Sequence, residues 1–325
     1  MFSSSVTESF EESLDMNFKK KLFLTALGGI AFTLVGCCSI TNKFSHSSKT
    51  YLPIINHIFK LCDLHEVDAS NKNLVESMRP LLMTREQRRD GIFDPLVVKD
   101  VHALYNDLSL LGMTQVVPAH AATYDCAVIF GGLLPAMRQR LDFLIREWNR
   151  GVRFRKIIFL SEERERYPGV ETFEQFYNPQ NNPFPIDKSW HSEDYSLPSS
   201  ENEIAKFIWS QMLLPASWRD STDVQVEFLV AEPSGDLPYT TRHDALTIFR
   251  KYWGDSEGRI LFVSNQPFVP SDRVRMAKYF TKDCDISGPG FGQAVLKQNW
   301  GPRVCLHALA IWVNETDGRL ELSQE

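Results

Sequence analysis

Four segments of this chain, each at or just after a strand-like run, are chemically unusual. Gly131-Gly132 has no side chains where a backbone turn would approach a ligand, and Pro135 suits the first turn of a following helix. The N-terminus of that helix would favour negative charge. Arg138 and Arg140 come next, early in the helix, where the positive dipole end disfavours cations unless an anion compensates. Surface solvation is the simpler account of both, and a tight turn is the simpler account of the glycine pair. Ser161-Glu162-Glu163-Arg164-Glu165-Arg166 reads as a solvated charged loop rather than a site. In Thr240-Thr241-Arg242-His243-Asp244-Ala245 a threonine can cap a helix while His243 and Asp244 offer proton transfer near neutral pH; capping alone also explains the threonines. Ser264-Asn265-Gln266, followed by Arg273 and Arg275, suggests an anion-facing rim.

These segments need a scaffold, and the hydrophobic pattern supplies one. From Tyr124 onward, apolar runs of strand length (Cys126 to Phe130, Lys156 to Leu160, Val224 to Ala231, Arg259 to Val263) alternate with amphipathic helices. The helices are expected from Pro135 to Arg150, about Ser200 to Leu214, Thr241 to Trp253 and Ser271 to Phe280, with a long polar insertion from Ser161 to Pro198. Strands apolar throughout and separated by helices predict an α/β fold, a doubly wound, mostly parallel, Rossmann-like sheet covered on both faces. In such a sheet ligands sit beyond the carboxyl ends of the strands, which is where the four segments begin. Val304 to Val313 and Leu320 to Leu322 read as added strands joined through Asp317-Gly318. Residues 51 to 115 read as a helical extension, and 124 to 325 as the α/β domain.

The N-terminal part reads as an address. Lys19, Lys20 and Lys21 precede an uncharged run from Leu22 to Gly36, too short to span a bilayer comfortably but suited to a cleaved signal core. It closes on Leu34-Val35-Gly36-Cys37, which resembles the bacterial lipobox. That resemblance implies cleavage after Gly36 and lipidation of Cys37, leaving a polar tether from 37 to 50; the fifteen residues before Met16 are acidic and Ser-rich, unlike a signal head, so translation is expected from Met16 within the signal segment 1 to 36. The expected location is the bacterial cell envelope, membrane-anchored and facing the periplasm or exterior.

Formal charge is -6 and the chain beyond the signal segment has no basic run, which argues against a nucleic acid polymer as partner. Of six cysteines, those other than Cys37 show neither CxxC pairing nor regular spacing, so no disulfide framework is implied. Cys126 and Cys305 lie in apolar runs and read as buried, inert thiols. The chain has no GxSxG elbow, P-loop or HExxH, and its eight histidines lack metal-ligand spacing. No metal and no particular cofactor is expected. Gly288-Pro289-Gly290-Phe291-Gly292 reads as a turn.

Taken in order, these segments resemble the domain family typified by the bacterial envelope proteins SanA, ElyC and YdcF, over about Tyr124 to Phe280. Gly131, Gly132, Arg138 and Ser200-Glu201 match its pattern directly. Thr241, Asp244 and Ala245 fit its later helix start, although His243 and Asp244 stand where Glu and Asn are usual, and Val263-Ser264 fits its last strand end. Phe268 stands where the family histidine is expected, and Arg273 is displaced by extra residues. The resemblance implies an envelope protein that binds or processes a phosphorylated small molecule or lipid-linked cell-wall precursor. Gly131, Gly132, Arg138, Thr241, Ser264 and Arg273 would then hold the ligand, with Glu201, His243 and Asp244 as acid/base groups. The alternatives are a non-enzymatic envelope scaffold, or a nucleotide or adenosyl-cofactor binder, with Trp190 and the polar insertion serving partner or substrate contacts.

Overall fold

A computed structural model describes residues 51–65, 71–91, 96–219, 224–234, 239–254, 258–280 and 283–318. Its centre is β1 (Thr123–Phe130), whose last five residues are buried because the sheet is covered on both faces. The other strands among the described residues are β2 (Arg153–Glu162), β3 (Gln225–Ala231), β4 (Ile260–Val263) and β5 (Cys284–Ser287). All pair in parallel, in the order β3-β2-β1-β4-β5. This is the expected α/β Rossmann-like sheet, with one more strand, β5, than the four the sequence pattern marks. Strand order reverses between β1 and β4, and a crevice opens beyond the carboxyl ends at such a switch point.

Alternation within β1 and its neighbours divides the core. Ala127, Ile129, Ile157, Phe159, Leu261 and Val263 face α5 (Leu134–Arg150) and α7 (Glu201–Gln211). Cys126, Val128, Phe130, Ile158, Leu160 and Phe262 face α9 (Arg242–Trp253) and α10 (Val269–Ala277). Period-two alternation places successive residues on opposite faces, so each strand serves both layers. The insertion between β2 and α7 carries the short α6 (Phe173–Tyr177) and docks through aromatic rings. Tyr177, Trp190 and Tyr195 each meet Phe207 of α7 edge to face, with centroids 5.5, 5.7 and 6.0 Å apart. Trp190 therefore has a packing role. The four-residue α8 (Ala216–Arg219) precedes β3.

The region before β1 is helical, as expected: α1 (Tyr51–Leu61), α2 (Asn71–Met78), α3 (Arg85–Asp90) and α4 (Val101–Leu110). It does not pack as a separate extension. The residues from Val304 to Val313, expected to be a strand, belong to the helix α11 (Gly301–Glu315), which joins this layer and lies against α10. Leu306, Ala308, Leu309, Ala310 and Trp312 are buried among Tyr51, Ile55, Phe59 and Leu104. A helix buried nearly all round has no polar face, so its sequence lacks helical periodicity and imitates a core strand. The Asp317-Gly318 turn terminates this helix, both residues adopting positive φ, rather than joining two strands. Leu320 to Leu322 lie outside the described residues.

Cys126 and Cys305 are buried, with burial raising both thiol pKa values; Cys305 lies on α11 rather than on a strand. Cys62, Cys126 and Cys305 are free thiols. His307, also on α11, accepts a hydrogen bond at Nδ1 from the Met83 N–H at 3.0 Å. Burial, reinforced by Arg88, Arg303 and Arg275, pushes its pKa down to about 3, so it remains a neutral acceptor.

Candidate functional site

At the carboxyl end of β1 the chain turns through Gly131-Gly132, where Gly132 adopts a φ of 154° that L side chains rarely take. A Cβ on Gly131 would lie 1.9 Å from Glu201 Oε1, and one on Gly132 would lie 3.1 Å from Arg140 Nη1. The turn presents carbonyl oxygens to guanidinium groups. Arg140 donates from Nη1 to Phe130 O (2.6 Å) and Gly131 O (2.5 Å), and from Nε and Nη2 to Asn265 Oδ1 beyond β4 (2.9 and 2.5 Å). Arg164, just beyond β2, donates from Nη2 to Gly132 O at 2.7 Å. Arg242, at the start of α9, lies over the Phe130 ring at 4.4 Å and donates from Nη2 to Gly131 O at 3.3 Å. The three carbonyls of this turn orient arginines, and the Gly131 N–H donates to Leu160 O at 2.8 Å.

Four carboxylates balance these three cations. Glu201, at the start of α7 and 1% exposed, accepts from the Glu162 N–H (2.8 Å) and from Arg164 Nε (2.5 Å). Arg164 also donates from Nη1 and Nη2 to the fully buried Glu171, at 3.0 and 3.1 Å. Asp272 accepts from Ser264 Oγ at 2.6 Å and stands 3.8 Å from Arg242 Nε; Glu162 stands 3.7 Å from Arg242 Nη1. Those last two contacts are ion pairs beyond hydrogen-bond range. Arg242 Nη1 is buried with no hydrogen-bond partner among the described residues. Arg242 is thus the loosest of the three cations.

Burial sets the electrostatics. Desolvation, then the adjacent Arg242 charge, lowers Arg140 to about 10, which leaves it protonated at neutral pH. Desolvation opposes the charge on Arg164, but Glu201 and Glu171 overcome it and raise its pKa. The Glu201 carboxyl is pushed up to about 7 by burial, against the pull of Arg164.

Of the residues expected to act, the structure brings Gly131, Gly132, Glu201 and, through Asp272, Ser264 to this crevice. Arg138 is a correction. It lies 1% exposed on another side of α5 and donates to Gln175 O, Phe176 O and Gln211 Oε1, fixing the insertion to α7. Two residues along a helix turn the side chain by about 200°, so Arg140 faces the crevice and Arg138 cannot. His243 and Asp244 are also corrected as an acid/base pair. Asp244 accepts from the Thr241 N–H and hydroxyl at 2.7 Å, and the Thr241 hydroxyl accepts from Asp244 N–H, a reciprocal capping box. Thr241 therefore caps α9 instead of holding a ligand. His243 contacts Tyr279 and Glu315 at 3.0 and 3.2 Å, where Glu315 also binds Arg275 and Lys278. Arg275 of α10 is thereby paired with Glu315 of α11, and Arg273 is half-buried with no hydrogen bond or ion pair among the described residues. Phe268 packs its ring edge to face with His307 at 6.4 Å.

Arg140, Arg164, Arg242, Glu162, Glu171 and Asp272 are the site residues the sequence reading did not select. Arg140, Arg164, Arg242 and Glu162 lay in the quoted segments, just beyond strands or early in helices. Glu171 carried no signal, since it comes from the interior of the insertion.

An open depression of about 910 Å³ lies at the opposite, amino end of the sheet, lined by Tyr124, Trp148, Arg153 and Arg259 among others. Among the described residues no group of His, Cys, Asp and Glu could hold a metal ion, and no helix is long and apolar enough to cross a membrane. No family model matches the chain, and no curated protein matches it.

Proposed function

We propose that the chain is an envelope lipoprotein whose α/β domain binds a phosphorylated small molecule, or the phosphate of a lipid-linked cell-wall precursor, in the crevice between β1 and β4. The observation that carries the binding reading is Arg242. It is a mostly buried cation at the switch point, held over an aromatic ring between two carboxylates too distant for hydrogen bonds, with one nitrogen unpartnered. A phosphate oxygen would supply the missing acceptor through a charge-assisted bond. The resemblance to the SanA, ElyC and YdcF family, and the lipobox-like Leu34-Val35-Gly36-Cys37, support the envelope setting. Cys37 lies outside the described residues. Cys37→Ser is expected to abolish incorporation of a fatty-acid analogue; undiminished labelling would remove the anchor from this reading.

Because three arginines already face four carboxylates, an entering anion needs a proton. Glu201 is the group to take it. An anion beside it disfavours the charged carboxylate and raises its pKa further, so the bound state holds more protons than the free state. Affinity should therefore be fullest below about 7 and fall as pH rises above it. Sulfate, whose charge is constant across this range, is the suitable probe in calorimetry, and Glu201→Gln should flatten the profile. An affinity that is level or rising with pH in the wild type would overturn the role given to Glu201.

A scaffold without catalysis is the second reading. The fixed internal contacts of Arg138, His243 and Asp244 favour it over an enzyme, because none of these groups is presented to the crevice. Turnover of a phosphomonoester by the wild type would decide against it.

A further inference from the structure

In folds of this strand order the first turn and the N-terminus of the next helix form the seat of a ligand phosphate. Here that seat is taken. Leu133, the N-cap of α5, makes no side-chain cap, and Pro135 in the first turn has no N–H to offer. The first N–H of the helix, on Leu134, instead donates to Glu171 Oε1 at 3.0 Å. The same carboxylate accepts from the Tyr167 N–H at 2.9 Å and from both Nη atoms of Arg164, which also holds Gly132 O. Glu171 is 0% exposed and 37 residues away in sequence from the peptide it caps.

We propose that Glu171 is the chain's own occupant of the phosphate seat, and that it restricts the neighbouring crevice to ligands with a single phosphoryl group. This rests on the reading that the Arg242 crevice binds phosphate. Two backbone N–H groups and a guanidinium fork are the donors a tetrahedral oxyanion would use, and a carboxylate satisfies them with two oxygens. With that anion fixed, a second phosphate arriving through Gly131-Gly132 meets a like charge, and the Leu134 N–H and the Arg164 fork are already engaged. A diphosphate or dinucleotide is therefore excluded, whereas one phosphoryl group at Arg242 is not. The residue sets specificity by charge and occupancy, and takes part in no bond-making step.

The test uses Glu171→Ala and Glu171→Gln in the full chain. Glu171→Ala should melt at a lower temperature than wild type, and millimolar inorganic phosphate or formate should restore it by filling the vacated seat while leaving the wild type unmoved. In calorimetry the preference for inorganic pyrophosphate over inorganic phosphate should rise at least tenfold over the wild-type ratio. Glu171→Gln keeps the shape without the charge, so it should raise the same ratio even if the alanine variant folds poorly. Glu171→Asp, retaining charge, should leave it unchanged. Anion rescue without a changed ratio in either variant would overturn the specificity claim, and no rescue with no changed ratio would overturn the seat itself. Rescue of Glu171→Ala/Arg242→Ala by phosphate separates the two sites. Rescue there, with no phosphate binding by the wild type, would uphold the seat while sinking the crevice reading and the specificity drawn from it.

Discussion

Arg140→Ala should lower the unfolding free energy by about 3 to 5 kcal/mol, the range found when one partner of a buried charged arrangement is removed. The guanidinium is buried and divides its donors among Phe130 O, Gly131 O and Asn265 Oδ1. Truncation removes the Arg140 donors from Phe130 O and Asn265 Oδ1 and leaves Gly131 O with only the longer Arg242 contact, and each buried unsatisfied group costs about 1 to 3 kcal/mol. Lysine cannot reproduce the fork, so Arg140→Lys should recover only part of the loss. Arg146, on the same helix but paired at the surface with Asp142, is the control, with an expected change below about 1 kcal/mol. Urea unfolding measures all three. A loss for Arg140→Ala no larger than that of Arg146→Ala would mean that the guanidinium does not tie the two strand ends together.

The same pair of arginines shows how far the sequence could be read. Four strands were visible because each is an apolar run longer than a turn and shorter than a helix, bounded by polar residues. β5 (Cys284–Ser287) was not, because Cys-Asp-Ile-Ser at a sheet edge needs only two buried residues. The segment from Val304 to Val313 was visible as buried but not as helical, since burial on every side erases the periodicity that would separate helix from strand.

Within the site, chemistry was legible by region and not by residue. Arg138 and Arg140 share a helix turn and a residue type, and only the packing of α5 against β4 and the insertion decides which one reaches the strand ends. Arg242 and His243 differ by about 100° around α9, and the histidine drew attention through its residue type while the arginine lies against Phe130. Glu171 is beyond local inference altogether. Its partners are fixed by how a long insertion folds back on α5, and no spacing rule encodes that.

Arg242→Ala should weaken binding of a phosphomonoester by about ten- to a hundredfold, equivalent to about 1.4 to 2.8 kcal/mol, as expected for one charge-assisted hydrogen bond. Stability should change less than in Arg140→Ala. The Arg242 contacts to Glu162 and Asp272 are long, and its loss relieves the repulsion exerted on Arg140. Salt should weaken wild-type binding only modestly, because a mostly buried contact is screened less than an exposed one. Arg138→Ala, measured below its own unfolding temperature, should leave affinity unchanged, since that guanidinium is enclosed by Gln175, Phe176 and Gln211.

The most direct measurement follows the arginine side chains themselves, through the proton–nitrogen resonances of the guanidinium groups during titration with inorganic phosphate. The Arg242 signal, assigned by its disappearance in Arg242→Ala, should shift and saturate with added phosphate, while the Arg138 signal stays where it is. A titration in which Arg242 does not move, or in which Arg138 moves alone, would contradict the placement of an anion at the switch point between β1 and β4.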